Sequence, residues 1–184
     1  MPTASSIGWT RIPARSGRHE SVEHRDTLLT IAELAVALAG FASLISVIAR
    51  RQDDASRAGD SIRLQLMLEV AFRNAAFALL PLLFLQLVPS DPIVWRISSG
   101  LYILSIVAHF LLRMRHRPQP QESWFSVSTW ILFSISVIVG LANVLGLGGA
   151  NAFSLFLANL LLGLFSAGLS FLSVATSIFR VDGS

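Results

Sequence analysis

The chain has 184 residues, 53% of them hydrophobic and only 14% charged, whereas a soluble domain carries roughly a quarter charged residues. Fourteen arginines and no lysine face eleven acids for a net charge of +3, and with no cysteine and one tyrosine almost nothing titrates between neutrality and the arginines, so the pI of 10.9 does not mark a basic surface. The arginines are scattered at the ends of apolar runs, without interleaved aromatics, which argues against nucleic acid as a partner; the absence of cysteine excludes disulfides, thiolate metal sites and S-palmitoylation.

Five apolar runs of about 21 residues each use most of the chain, and runs of that length point to a bilayer as the solvent. The expected fold class is therefore all-α: a polytopic integral membrane protein, a bundle of five transmembrane helices with small and polar seams facing inward. Residues 1–26 show no period and read as a flexible polar tail with Arg11, Arg15, Arg18 and Arg25, and with an interfacial turn near Trp9. No signal-peptide-like apolar stretch precedes the first span, so that span is expected to act as its own insertion signal.

The bundle is expected over 27–180. Span 1 covers about 28–48 and stops at Arg50-Arg51; a solvated connector, 52–61, holds Asp53, Asp54, Arg57 and Asp60. Span 2, about 62–88, is the longest, and its Pro81 removes the hydrogen bond to the Phe77 carbonyl, which predicts a kink. Pro89-Ser90-Asp91-Pro92 breaks the chain before span 3, about 93–112, which ends in Arg113, Arg115, His116 and Arg117; Pro118 and Pro120 forbid its continuation. Span 4, about 124–147, is joined by Gly148-Gly149-Ala150-Asn151 to span 5, about 152–179, and 181–184 form a short C-terminal tail. Links this short make spans 2–3 and 4–5 antiparallel hairpins.

Arginines near the span ends set the orientation. The inter-helix loops place Arg50, Arg51, Arg57, Arg63, Arg113, Arg115 and Arg117 on one side and Arg96 on the other, favouring an external N-terminus and a cytoplasmic C-terminus, although the four tail arginines resist translocation. Arginine-only basic usage and short loops point to a bacterial cytoplasmic membrane.

Small and polar residues recur every three or four positions and so line one face of each helix. Span 1 has Ala32, Ala35, Ala39, Ala42, Ser46 and Ala49; span 5 has Asn159, Gly163, Ser166, Ser170, Ser173 and Ser177. Span 4 has Ser126, Thr129, Phe133, Ser136, Gly140 and Asn143; span 3 has Ser98, Tyr102, Ser105 and His109. Such seams serve as packing surfaces, since small residues let backbones approach, or they line a hydrated path or polar pocket.

Ionisable groups inside the spans are the stronger signal, because a charge at bilayer depth costs about 2.5–3.5 kcal/mol. Glu33 lies near the outer end of span 1 and is expected within reach of Arg96 at the start of span 3, unless Arg96 snorkels to the headgroups. On span 2, Glu69 and Arg73 stand i, i+4 in the favourable order for an ion pair, with Gln65 one turn before and Asn74 beside them. His109 is expected near the depth of Glu69, and the two approach each other if spans 2 and 3 present these faces. The candidate intramembrane site thus comprises Glu33, Gln65, Glu69, Arg73, Asn74, Arg96, Tyr102, His109, Asn143 and Asn159.

No phosphate loop, H-E-x-x-H pair or metal-spaced cluster occurs, and Gly168-Leu169-Ser170-Phe171 lacks the second glycine of a nucleophile elbow. The expectation is no catalytic residue, no cofactor and no metal. Five spans also fit poorly with a transporter built from two equal halves. Two readings stay open: an oligomeric ion or proton permeation protein tuned by Glu69, Arg73 and His109, or a non-conducting membrane subunit that binds lipid or partner helices, with Glu69–Arg73 as a structural pair. The expected partners are the lipid bilayer and either further copies of the chain or a second membrane protein.

Overall fold

The computed structural model describes residues 16–49, 57–88, 91–116 and 123–181. The Trp9 turn, the Arg50-Arg51 stop, the Pro118 and Pro120 break and the end of the C-terminal tail lie outside these residues, as do the side chains of Ser46, Ala49, Ser126, Thr129, Ser173 and Ser177. The described residues form five α-helices: α1 Ser16–Ala49, α2 Arg57–Leu87, α3 Asp91–His116, α4 Ser123–Val144 and α5 Ala152–Val181. No strand occurs among the described residues.

Four stretches are long and apolar enough to cross a membrane: Val22–Ile45, Gln65–Leu87, Pro92–Leu112 and Gly149–Leu172. In α4 the described apolar stretch is Trp130–Val144; the whole helix, Ser123–Val144, has 22 residues and rises about 33 Å at 1.5 Å per residue, comparable to the ~30 Å hydrocarbon layer. The five helices are thus present, and four of them meet the length and composition of a span.

Two stretches read as irregular are helical. Helix α1 begins at Ser16, so 16–26 continue the first span instead of forming a loose tail. The Thr27 and Thr30 hydroxyls donate to the carbonyls of Glu23 and Asp26, at 2.9 and 3.0 Å, which ties their polar atoms to the preceding turn; His24 packs on aromatic rings of other helices. Helix α2 begins at Arg57, inside the segment read as a connector, and runs unbroken past the buried Pro81 to Leu87.

Alanines decide how close the helices lie. The buried face of α1 is Leu28, Ile31, Ala32, Ala35, Ala39 and Ala42, and the facing stripe of α2 is Met67, Ala71, Ala75 and Ala78. With lipid as apolar as leucine, close backbone packing rather than a hydrophobic drive holds such helices together. Leu34, Val36, Phe41 and Leu44 face outward from α1. Helix α5 packs against all four others, and α1, α2, α3 and α4 follow one another around it. Its Phe156, Leu160 and Leu164 join Trp95, Tyr102 and the α1–α2 alanines in the main core.

The amino-terminal ends of α1, α3 and α5 share one end of the bundle. There His24 stacks on Phe153 with centroids 3.7 Å apart, and Trp95 meets His24, Phe153 and Phe156. Helix α4 stops at the same end. The Leu147 amide donates to Ala142 O at 2.9 Å and the Gly146 amide to Asn143 O at 3.0 Å, with Gly146 at φ +79°, the paired bonds of a Schellman cap that needs a left-handed residue. This cap ends the helix at Val144, before the expected 147, and residues 149–151 form a single 3-10 turn leading into α5.

Candidate intramembrane polar site

The inward seams meet in three tiers. In the central tier, Tyr102 on α3 is completely buried, and its hydroxyl donates to Asn74 Oδ1 on α2 at 2.6 Å. The Asn159 carbonyl of α5 lies 3.4 Å from the same hydroxyl as a second acceptor. Ser136 on α4 donates to Asn159 Oδ1 at 2.6 Å. One tyrosine and two asparagines, all at 0% exposure, therefore join α2, α3, α4 and α5.

Two glycines make the tier fit. A Cβ at Gly163 would collide with the Tyr102 hydroxyl and lie 2.5 Å from Asn74 Oδ1; a Cβ at Gly140 would lie 2.7 Å from Asn159 Nδ2 and 2.5 Å from Ile103. The polar groups occupy the volume that side chains at 163 and 140 would need. The Nδ2 atoms of Asn74 and Asn159 and the Nε of Arg73 have no hydrogen-bond partner among the described residues.

The second tier lies toward the aromatic end. Asn143 on α4 donates through Nδ2 to Ser99 Oγ at 2.7 Å and to the Ala152 carbonyl at 2.9 Å, clasping α4 to α3 and to the start of α5. Arg96 lies one turn away on α3. Its guanidinium rests on the Gly146 turn, where a Cβ would come within 2.8 Å of Nη2. This sets a cation beside the carbonyl end of α4, where the helix dipole favours positive charge. The expected approach of Glu33 to Arg96 is not made: Glu33 is exposed on the outer face of α1, while Arg96 turns to α4. Rotation of α1 explains the difference, because its alanine face fills the core and leaves position 33 outside.

The third tier lies toward the opposite end, between α2 and α3. Glu69 Oε2 and His109 Nε2 stand 3.4 Å apart, with 36% and 30% of their side chains exposed. Gln65 donates from Nε2 to Glu69 Oε1 at 2.9 Å along the same face of α2. One turn deeper, Arg73 is partly buried and lies within electrostatic reach of both Glu69 and Tyr102, so it links this tier to the central one.

The structure thus joins Asn74, Tyr102 and Asn159 in one cluster and Gln65, Glu69 and His109 in another, with Arg73 between them. Asn143 and Arg96 hold the α4 end, and Glu33 stands apart. Ser99 and Gly146 were not singled out by sequence reasoning. Ser99 neighbours the seam residue Ser98 and gives no periodic signal of its own, whereas the Gly146 to Gly149 run marks a helix stop. Ser136, Gly140 and Gly163 had been visible as seam positions only.

Among the described residues, no group of three or more histidines or acids is arranged to hold a metal ion. Comparison with protein-family models, curated proteins and solved structures found no match.

Proposed function

We propose that the chain is a five-crossing membrane protein acting as a non-conducting binding subunit, with the notch formed by Glu69, His109, Gln65 and Arg73 as its recognition site. The carrying observation is the contrast between the tiers. Tyr102, Asn74 and Asn159 are wholly buried and interlocked, with no room for a methyl group at position 163. The Glu69–His109 pair is about one third exposed, toward the Arg63 and Arg113 ends of the apolar runs of α2 and α3. A closed middle supports a bundle without a hydrated path through a single copy. Polar side chains about one third exposed on the side of the bundle support contact with another molecule in the membrane.

In this proposal α4 crosses as well, which puts the two chain ends on opposite sides. The arginine distribution favours an external N-terminus in a bacterial cytoplasmic membrane, and the molecule engaged is lipid, another copy or a second membrane protein. No reaction is assigned to the site.

A second reading, ion or proton permeation by an oligomer, draws on the succession from Glu69 and His109 through Arg73 to Tyr102, Asn74 and Asn159. In that reading the Tyr102 hydroxyl closes the route. Purified protein in sealed vesicles under an imposed proton or potassium gradient separates the two. The binding-subunit reading expects dissipation no faster than in empty vesicles, for the native chain and for Tyr102→Phe alike. Flux that scales with protein and changes with Arg73→Gln refutes it.

A further inference from the structure

The notch is continuous with an apolar track that leads deeper into the membrane. On α2 the outward face reads Gln65, Glu69, Phe72, Ala76, Leu79 and Leu83 at steps of three and four, and every residue after Glu69 in that series is exposed. On α3 the exposed Leu101, Leu104 and Ala108 lie toward the bundle middle from His109. Glu69 itself lies six residues after Arg63, the charged residue that precedes the apolar run of α2, or about 9 Å at 1.5 Å per residue. That is the level where headgroups give way to acyl chains.

The charges have an order along this track. Arg73, half-buried, is one turn deeper than Glu69, about 6 Å along the axis. His109 adds a second nitrogen donor at the carboxylate's level. An occupant complementary to this order carries an anion toward the bilayer middle, a hydrogen-bonding cation toward the water, and long apolar chains below both. A primary-amine phospholipid has that arrangement: its phosphate lies nearer the chains and its ammonium farther out. We infer that the α2–α3 notch is a headgroup site for an aminophospholipid of the phosphatidylethanolamine type, with Glu69 receiving the ammonium, Arg73 facing the phosphate, and the acyl chains lying along Phe72 to Leu83.

The inference rests on the notch being a binding site, as proposed above, and names the occupant. Quaternary choline lipids carry the same charges but no N–H donor. Charge-assisted hydrogen bonds contribute about 1.5–3 kcal/mol, so their loss lowers occupancy roughly tenfold or more.

The test uses the full chain in vesicles of phosphatidylglycerol and phosphatidylcholine carrying a trace of diazirine-acyl lipid, with the headgroup varied from ethanolamine through its N-methyl and N,N-dimethyl forms to choline. Labelling of the Phe72–Leu83 segment, mapped by peptide mass spectrometry, falls stepwise along that series for the native protein, by about tenfold from first to last. Glu69→Gln brings the ethanolamine lipid down to the choline level, whereas Arg73→Gln lowers both. Equal labelling by the two end members overturns the inference without any variant. Unchanged labelling in a folded Glu69→Gln protein also overturns it, and displacement of the probe by soluble glycerophosphoethanolamine as readily as by the intact lipid overturns the assignment to a lipid. Gradient dissipation in the vesicle experiment above would sink the non-conducting reading while leaving the headgroup preference intact, so the two failures are distinguishable.

Discussion

Replacing Gly163 by alanine probes the central tier directly. The added Cβ would sit 2.5 Å from Asn74 Oδ1 and 2.6 Å from its Nδ2, and closer still to the Tyr102 hydroxyl. Ordinary contact begins at 3.4 Å, so these atoms must retreat by close to an ångström, and both side chains are held at 0% exposure. Overpacking of this kind costs about 1–3 kcal/mol. The displaced Tyr102–Asn74 bond adds about 0.6 kcal/mol, and up to about 1.7, on the scale of interhelical bonds in membranes. The gain in helix propensity from glycine to alanine offsets about 1 kcal/mol. A net loss of about 1–4 kcal/mol follows. Gly168, five residues along the same helix, has nothing within 4 Å of its would-be Cβ, so Gly168→Ala keeps only the propensity gain. Reversible unfolding of both variants in mixed micelles, followed by circular dichroism, measures the difference, expected at roughly 2–5 kcal/mol. Equal stabilities within about 0.5 kcal/mol would refute the claim that the polar cluster fills the space beside Gly163.

The Tyr102–Asn74 bond is tested by a double-mutant cycle of Tyr102→Phe and Asn74→Leu in the same unfolding assay, with an expected coupling of about 0.6–1.7 kcal/mol; additive losses would contradict it. Gly146→Ala must adopt the left-handed φ of +79° and displace the Arg96 guanidinium, so a loss of at least about 1–2 kcal/mol is expected, and Arg96→Ala should relieve the steric part alone when combined with it. The chain has no native cysteine, so single cysteines report topology cleanly: Asn151→Cys is expected to react with a membrane-impermeant maleimide from outside intact cells and Arg115→Cys only after permeabilisation. Reaction of both from the same side would remove the five-crossing arrangement.

Helix positions and inward faces were legible in the sequence because both depend on local spacing. The alanine series of α1 and the Asn159–Gly163 step of α5 are buried or partly buried as a period near 3.6 requires. The break expected at Pro89–Pro92 is shorter than expected, since α2 ends at Leu87 and α3 already begins at Asp91, and α4 stops at Val144, before the expected 147, through the left-handed φ of Gly146. Helix phase relative to distant neighbours was not legible. Asn74 was expected beside Arg73 as a helper of Glu69, yet it faces the bundle centre and binds Tyr102, because adjacent residues on a helix diverge by 100°. Glu33 shows the same limitation. The His24–Trp95 contact sets Arg96 level with the start of the α1 span, nine residues or about 13 Å before Glu33, and the alanine face of α1 turns position 33 outward. The helical stretch 16–26 was hidden for a different reason: its residues are polar, and His24 is ordered by Phe153 and Trp95, which lie over sixty residues away.

The distribution of polar chemistry along the bundle has a physical logic. Neutral amides and hydroxyls make the hydrogen bonds of the middle, where Asn74, Tyr102, Asn159 and Ser136 bond across four helices. Most formal charges lie away from the middle. Arg96 sits against the α4 terminus at one end; toward the other, Glu69 stands against His109, with Arg73 half-buried one turn further in, beside the central tier. Burying ions costs far more than burying amides, so amides suit the closed middle and the partly exposed Glu69–His109 pair suits the side of the bundle. Swapping the two exposes that division: Asn74→Asp puts a carboxyl into a wholly buried position beside Tyr102, and it should destabilise the bundle more than Glu69→Gln, which removes a charge from a site already open on one side. The same micellar unfolding assay ranks them, and a larger loss from Glu69→Gln would mean that the notch, rather than the buried amides, holds these helices together.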